Sequence, residues 1–199
     1  MEKTRQQLTS HSNKQQANIT PMKNTNISIG LTNPKSPTNV GAVMRAAGCF
    51  QVDSVFYTGK RYAHAAKFNT DTKNATNNIP LTGTECLLEN KPENTKIVCI
   101  ELVEGAVPLP DFQHPKNAFY IFGPEDGTVH QSVIDQADDV VYIPTIGCLN
   151  LAATVNIVLY DRVAKLDKTI ADNKLIRQSR DKNNKAKVKV KPDQAPTLP

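Results

Sequence analysis

The chain has no tryptophan among its 199 residues, and aromatic side chains make up only 6% of it. Its apolar runs, of which Ala118–Phe122 is typical, fall far short of the ~20 residues that span a bilayer as a helix. A soluble protein is expected. The N-terminal MEKTRQQLTSHSNKQQANITP contains no apolar segment of the kind that marks a secretory signal, so a cytoplasmic location with reduced thiols is the default expectation. Cys49, Cys86, Cys99 and Cys148 form no C-x-x-C pair and share no ligand spacing with His11, His64, His114 or His130, which argues against a metal site. No G-x-G-x-x-G follows a strand-like run, and this sets aside a nucleotide-binding dehydrogenase.

What is present is polar and unevenly charged. Hydrophobic residues are 39% and charged residues 22%, with a mean hydropathy of −0.43. The net charge of +5 does not spread evenly. Residues 1–25 carry +3, the stretch from Lys174 to Pro199 carries +6, and 26–173 holds twelve basic against sixteen acidic residues, a net of −4. The ends also lack hydrophobic periodicity and cannot bury enough surface to offset ordering. The expected organisation is a basic arm over 1–25, one domain over 26–173 and a basic flexible tail over 174–199.

Within the domain, short β-branched runs alternate with helical patterns, which predicts an α/β fold around a mostly parallel sheet with helices on both faces. Strands are expected at Ile27–Leu31, Ser54–Tyr57, Lys96–Glu101, Ala118–Phe122 and Val140–Ile143. A helix over about Val40–Phe50 would bury Val43, Ala46, Ala47 and Phe50, spaced by three and four. A capping box at Thr82-x-x-Glu85 predicts a short helix through Asn90, and Thr128-x-x-Gln131 predicts another over Val129–Ala137. A long final helix, Leu149–Lys168, would turn Leu151, Val155, Val158, Leu159, Arg162, Val163 and Leu166 to one side. Lys60–Asn78 reads as loop mixed with a short helix.

Three segments look unlike generic core. In Asn33-Pro34-Lys35-Ser36-Pro37-Thr38-Asn39-Val40-Gly41-Ala42-Val43-Met44-Arg45 a proline-stiffened loop follows the first strand, at the end of an α/β strand where ligands bind. The plainer reading is a helix cap at Thr38 or Asn39 and a surface arginine. In Phe122-Gly123-Pro124-Glu125-Asp126-Gly127 the glycines let backbone approach a ligand closely, although such a sequence is also an ordinary turn. In Ile143-Pro144-Thr145-Ile146-Gly147-Cys148-Leu149-Asn150-Leu151 the last strand runs into the last helix, whose first N–H groups can meet ligand acceptors. Asn150 could equally be a plain N-cap and Cys148 a small packed hydrophobe.

Taken in order, N-x-G-x-x-x-R from Asn39 to Arg45, F-G-P-E-x-x-G from Phe122, and I-P leading to L-N-L-A at Leu149–Ala152 resemble the SpoU/TrmH group of SPOUT RNA methyltransferases. The resemblance extends over about 27–168. It implies S-adenosylmethionine-dependent methylation of a ribose 2′-hydroxyl in tRNA or rRNA, a C-terminal deep trefoil knot and a homodimer. By similarity the cofactor would lie against Glu101, Leu102, Gly123, Ile143, Cys148 and Leu149. The catalytic set would be Arg45, Asn39, Glu125 and Asn150, with Arg45 acting within its own protomer or across the dimer. Because a guanidinium stays protonated, Arg45 is expected to bind phosphate or polarise the hydroxyl. RNA contacts are expected from Arg45 and Lys35, and from Lys182, Lys185 and Lys187 in the tail, where cations release counterions from a phosphate backbone.

This chain departs from the family's usual pattern in one place. Cys148 stands where relatives carry serine, and only Thr145-Ile146-Gly147 separate it from Ile143-Pro144. A scaffold that binds RNA with impaired catalysis is therefore the alternative reading.

Overall fold

The computed structural model describes residues 25–66, 79–166 and 172–188. The expected basic arm, the end of the Lys60–Asn78 stretch and the final residues of the tail lie outside the described residues.

Apolar runs of about five residues become strands buried on both faces, the pattern of a parallel sheet covered on two sides. In chain order the elements are β1 (Ile27–Leu31), α1 (Pro37–Cys49), β2 (Ser54–Tyr57), α2 (Arg61–Ala66), β3 (Leu81–Gly83), β4 (Lys96–Ile100), β5 (Val107–Pro108), β6 (Ala118–Phe122), α3 (Gln131–Ile134), β7 (Asp139–Tyr142), α4 (Leu151–Leu166) and α5 (Asn173–Ser179). All seven strands are parallel, in the order β3-β2-β1-β6-β4-β7-β5. Every strand therefore ends on one common edge. The α/β class and the five expected strands match, to within a residue at their ends. β3 and β5 were not expected: at three and two residues, and with Pro108 in one of them, they carry too little pattern to see.

Period-two alternation divides β6 between two cores. Ala118, Tyr120 and Phe122 join α1 and α4 in the larger cluster, whereas Phe119 and Ile121 pack with Leu87, Ile97 and Val133 on the other face. Among the described residues, α3 and a 3-10 turn at Leu88–Asn90 cover that second face. Here two expectations fail. Thr82 lies in β3, so the Thr82-x-x-Glu85 box caps no helix, and α3 keeps only four residues because His130, accepting from the Ser132 N–H, starts it late.

α1 begins two residues before the nearer expected cap. Ser36 is the N-cap, its Oγ accepting from the Asn39 N–H, and Pro37 occupies the first turn, where a missing N–H costs nothing. α4 buries Leu151, Val155, Val158, Leu159 and Arg162, but Val163 and Leu166 are exposed rather than packed. Together with Ile157 and Tyr160 they leave an apolar band winding along its outer side.

The buried charge on α4 is held by three oxygen acceptors. Arg162 donates to the carbonyls of Pro115 and Lys116 at 2.6 Å and to the Tyr120 hydroxyl at 3.1 Å. The Tyr120 hydroxyl lies 2.7 Å from His114 Nδ1, and His114 Nε2 lies 2.9 Å from Asp161, which Lys165 also reaches at 2.7 Å. A carboxylate accepts only, so Nε2 carries the proton and Tyr120 donates to Nδ1. Burial lowers the His114 pKa and outweighs the Asp161 hydrogen bond that raises it. This chain of bonds ties the 109–117 connection onto α4.

Candidate active site

The strand order reverses direction at β1: the chain runs outward through β2 and β3 on one side, while β6 and β4 lie on the other. Loops leaving strands beside such a reversal diverge and leave a crevice. The loop after β1 and the loop after β6 meet across it through Glu125. Its carboxylate accepts from the backbone N–H groups of Lys35 at 2.8 Å and Ser36 at 3.0 Å, and from Asn39 Nδ2 at 3.2 Å. Partial burial pushes the Glu125 pKa up, but these donors together outweigh it and hold the group below the usual carboxylate value. Since Glu125 can only accept, the Asn39 amide nitrogen faces it and the Asn39 carbonyl oxygen is left for other partners.

Beside this bridge a cavity of about 410 Å³ opens at the ends of β4, β6 and β7, within the usual range for small-molecule sites. The segment after β4 contributes Glu101 and Leu102, the turn after β6 contributes Gly123 and Glu125, and the passage from β7 to α4 contributes Ile143, Thr145, Cys148, Leu149 and Asn150, with Asn39 completing the wall. Leu102 and Leu149 are substantially exposed, and Ile146 stands fully in solvent. Leu102 and Leu149, which line the open pocket, offer contact to a flat, weakly polar ligand.

Three features keep the cavity in shape. Glu101 accepts from the N–H of Leu102 at 3.0 Å and of Val129 at 2.9 Å, bracing the β4 end against the β6–α3 connection. A Cβ on Gly123 would lie 2.7 Å from that carboxylate, so only glycine leaves the brace in place. Asn150 accepts from the Ala153 N–H at 2.7 Å through Oδ1 and from the Thr154 N–H at 3.0 Å through its carbonyl, so it does cap α4. Thr145 Oγ donates to the Gly147 carbonyl at 2.7 Å, folding the short connection on itself.

The structure thus gathers Asn39, Glu101, Leu102, Gly123, Glu125, Ile143, Cys148, Leu149 and Asn150 around one cavity. It does not bring Arg45 there. Arg45 is exposed on α1 and makes no hydrogen bond or ion pair among the described residues. Six residues along a helix are ~9 Å of rise and ~240° of rotation, so Arg45 and Asn39 cannot share a face. Lys35 is exposed at the rim; Lys182, Lys185 and Lys187 are exposed beyond α5, away from the cavity lining.

Sequence reasoning missed Arg61 and Asp126. The Arg61 guanidinium donates twice to the Asn33 carbonyl and to both oxygens of Asp126, at 2.7 and 2.9 Å. Those hydrogen bonds hold the Asp126 carboxyl below its ordinary value. Asn33 takes a φ of 42°, and Gly59, at φ 77°, leaves room for its side chain. The segments at Asn33, Arg61 and Asp126 are thereby sewn together across 93 residues of sequence. Among the described residues no group of three His, Cys, Asp or Glu could hold a metal ion, and no helix is long and apolar enough to cross a membrane.

Comparison with known proteins places this geometry. The model of the SpoU rRNA Methylase family matches residues 26–160. No curated protein sequence matches the chain. Among solved structures it is similar to the TrmH/SpoU tRNA modifying enzyme of A. aeolicus, with 19% identity, 70% of this chain and 75% of that one covered, and a TM-score of 0.58. It is similar to an AdoMet-bound rRNA methyltransferase from Sinorhizobium meliloti at 18% identity, with 71% and 57% covered and a TM-score of 0.57. The chain thus spans little more than half of that protein. A structure described for 2-OH methylation of C/U34 on tRNA matches at 20% identity, with 70% and 90% covered and a TM-score of 0.60.

Proposed function

Because the chain belongs to the SpoU rRNA methylase family, we propose that it transfers a methyl group from S-adenosylmethionine to a ribose 2′-hydroxyl of tRNA or rRNA. The observation that carries this reading is the single cavity at the β4, β6 and β7 ends, to which the motif residues after β1, after β6 and before α4 all contribute. Its residues fit the cofactor. Leu102, Ile143 and Leu149 offer an apolar wall for an adenine, and the missing Cβ of Gly123 leaves a cradle beside Glu101.

When bound, the cofactor supplies a methyl already activated by its sulfonium, so the chain must chiefly orient the hydroxyl, whose proton passes to solvent as its oxygen takes the methyl. Glu125 fixes the β1–α1 loop and turns Asn39, whose carbonyl oxygen can accept from the 2′-hydroxyl. Glu125 and Asn150 are positioning residues: one holds a loop, the other caps α4. Cys148 lines the wall as an exposed thiol. It is not a nucleophile, since methyl transfer to ribose needs no covalent enzyme intermediate. All four cysteines are free, in keeping with a reducing cytoplasm.

Arg45, which does not line its own protomer's cavity, would serve the cavity of a second protomer in this reading. The exposed band Ile157, Tyr160, Val163 and Leu166 on α4, the helix packed against α1, supplies a self-complementary surface for such a dimer. The trefoil knot is part of the proposal too. Residues 101–106 carry the chain from β4 past β7 to β5, although β7 forms later in sequence and pairs with both. A strand placed inside an earlier connection is the element from which a knot is built, against the general absence of knots in folds.

The test is transfer of labelled methyl from S-adenosylmethionine into RNA from cells lacking this protein, followed by alkaline hydrolysis. Label in alkali-resistant dinucleotides supports the reading, because a methylated 2′-oxygen cannot cleave its phosphodiester. Label in mononucleotides alone, or none while the cofactor binds, overturns it.

A further inference from the structure

We infer that the open cleft beside the cavity, between the β1–α1 loop and α2, is a subsite for the backbone phosphates flanking the target ribose, with Lys35 and Lys60 as its ligands. Lys35, Lys60, Arg61, His64 and Ala65 line it, their carbon stems forming most of its surface. The inference rests on the proposed RNA substrate and adds to it where the polyanion runs.

The cations come from two segments, the β1–α1 loop and the start of α2, which the Arg61 bonds to Asn33 hold in register. Four of the five N–H donors of Arg61 are committed to Asn33 and Asp126, which makes it the scaffold of the cleft. Lys60 is exposed and its ammonium has no partner among the described residues. Lys35 lies 3.6 Å from Asp126, with both side chains half exposed or more. An exposed pair of that kind holds its partners only weakly, so a phosphate can take the ammonium over. Asp126 offsets one charge, and Lys35, Lys60 and Arg61 leave the cleft about two charges positive.

Position and contrast identify the occupant. Residues 26–173 carry a net charge of −4, so the domain as a whole repels a polyanion and needs a local cationic landing. This one adjoins the cavity: Asp126 follows Glu125 in sequence, and the Lys35 N–H donates to Glu125 itself. A phosphodiester chain whose ribose sits at Asn39 has this cleft beside it, across the Glu125–Asp126 turn.

The experiment is a salt titration of affinity for fluorescently labelled bulk tRNA, using full-length protein, with S-adenosylmethionine affinity measured alongside. Each phosphate contact adds ~0.7–0.9 to the slope of log K against log salt. Lys35→Gln/Lys60→Gln should lower that slope by about 1.5 with cofactor affinity unchanged, and Lys35→Arg/Lys60→Arg should restore it. Lys91→Gln, a change before β4 on the opposite sheet edge, should leave the slope alone. An unchanged slope in the double variant, or an equal drop in Lys91→Gln, overturns the subsite. If the wild-type protein binds and methylates RNA in that case, the proposed function stands without it; if the wild type binds no RNA, both fall together.

Discussion

Replacing Glu125 by glutamine tests whether this carboxylate positions the loop that carries Asn39. The side chain keeps its shape but loses its charge and exchanges one acceptor oxygen for a donor. With the remaining oxygen toward Ser36 and Asn39, the new NH₂ faces the Lys35 N–H, 2.8 Å away in the native protein. One bond is lost and two become neutral. Hydrogen bonds to charged groups contribute ~1.5–3 kcal/mol and neutral ones ~0.5–1.5. The Lys35 bond is exposed, so its N–H can turn to water and no buried donor is stranded. The expected loss is therefore about 2–3 kcal/mol, or roughly 4–12 °C in Tm for a domain of this size. Calorimetric melting checks it. The pH dependence has a definite sign: because the folded pKa is lowered, the stabilisation is fully present above the unfolded value of about 4.3 and fades as pH falls through the folded pKa. The gap between wild type and Glu125→Gln should be constant near neutrality and close in acid. A change under 0.5 kcal/mol at pH 7, or a gap that widens in acid, would refute the reasoning.

Arg45→Ala should abolish methyl transfer while sedimentation shows an unchanged dimer; mixing it with an inactive cavity variant such as Leu149→Glu should restore roughly a quarter of wild-type activity, since half the dimers are mixed and each has one intact composite site. No recovery would place Arg45 within its own protomer's site. Arg162→Leu leaves the Pro115 and Lys116 carbonyls and the Tyr120 hydroxyl without their donor, and urea unfolding should show a loss of about 3–5 kcal/mol; a loss below 1 kcal/mol would mean the network relaxes freely. Deleting residues 180–199 should weaken RNA binding and flatten its salt dependence, and an unchanged slope would return these lysines to a solubilising role.

The central strands were legible because burial on both faces leaves an apolar run that no other element of that length produces. The ends of the sheet were not, since β3 and β5 are fixed by pairing with β2 and β7 rather than by their own sequence. At the site, the three loops could be read from turn residues and strand ends. The bonds joining them could not: Glu125 meets Lys35 across 90 residues and Arg61 meets Asp126 across 65, and single-sequence patterns hold no trace of such pairs. Asn150 shows the opposite case, where the plainer reading as an N-cap was correct. The separation of Arg45 from Asn39 was available beforehand from helical geometry alone.

The most direct test of the account is mass spectrometry of nucleosides from RNA of cells lacking this protein, before and after incubation with the purified chain and S-adenosylmethionine. The account predicts a gain in one or a few 2′-O-methylnucleosides and no change in base-methylated ones. A gain confined to base methylation, or no gain from protein that binds the cofactor, would contradict it.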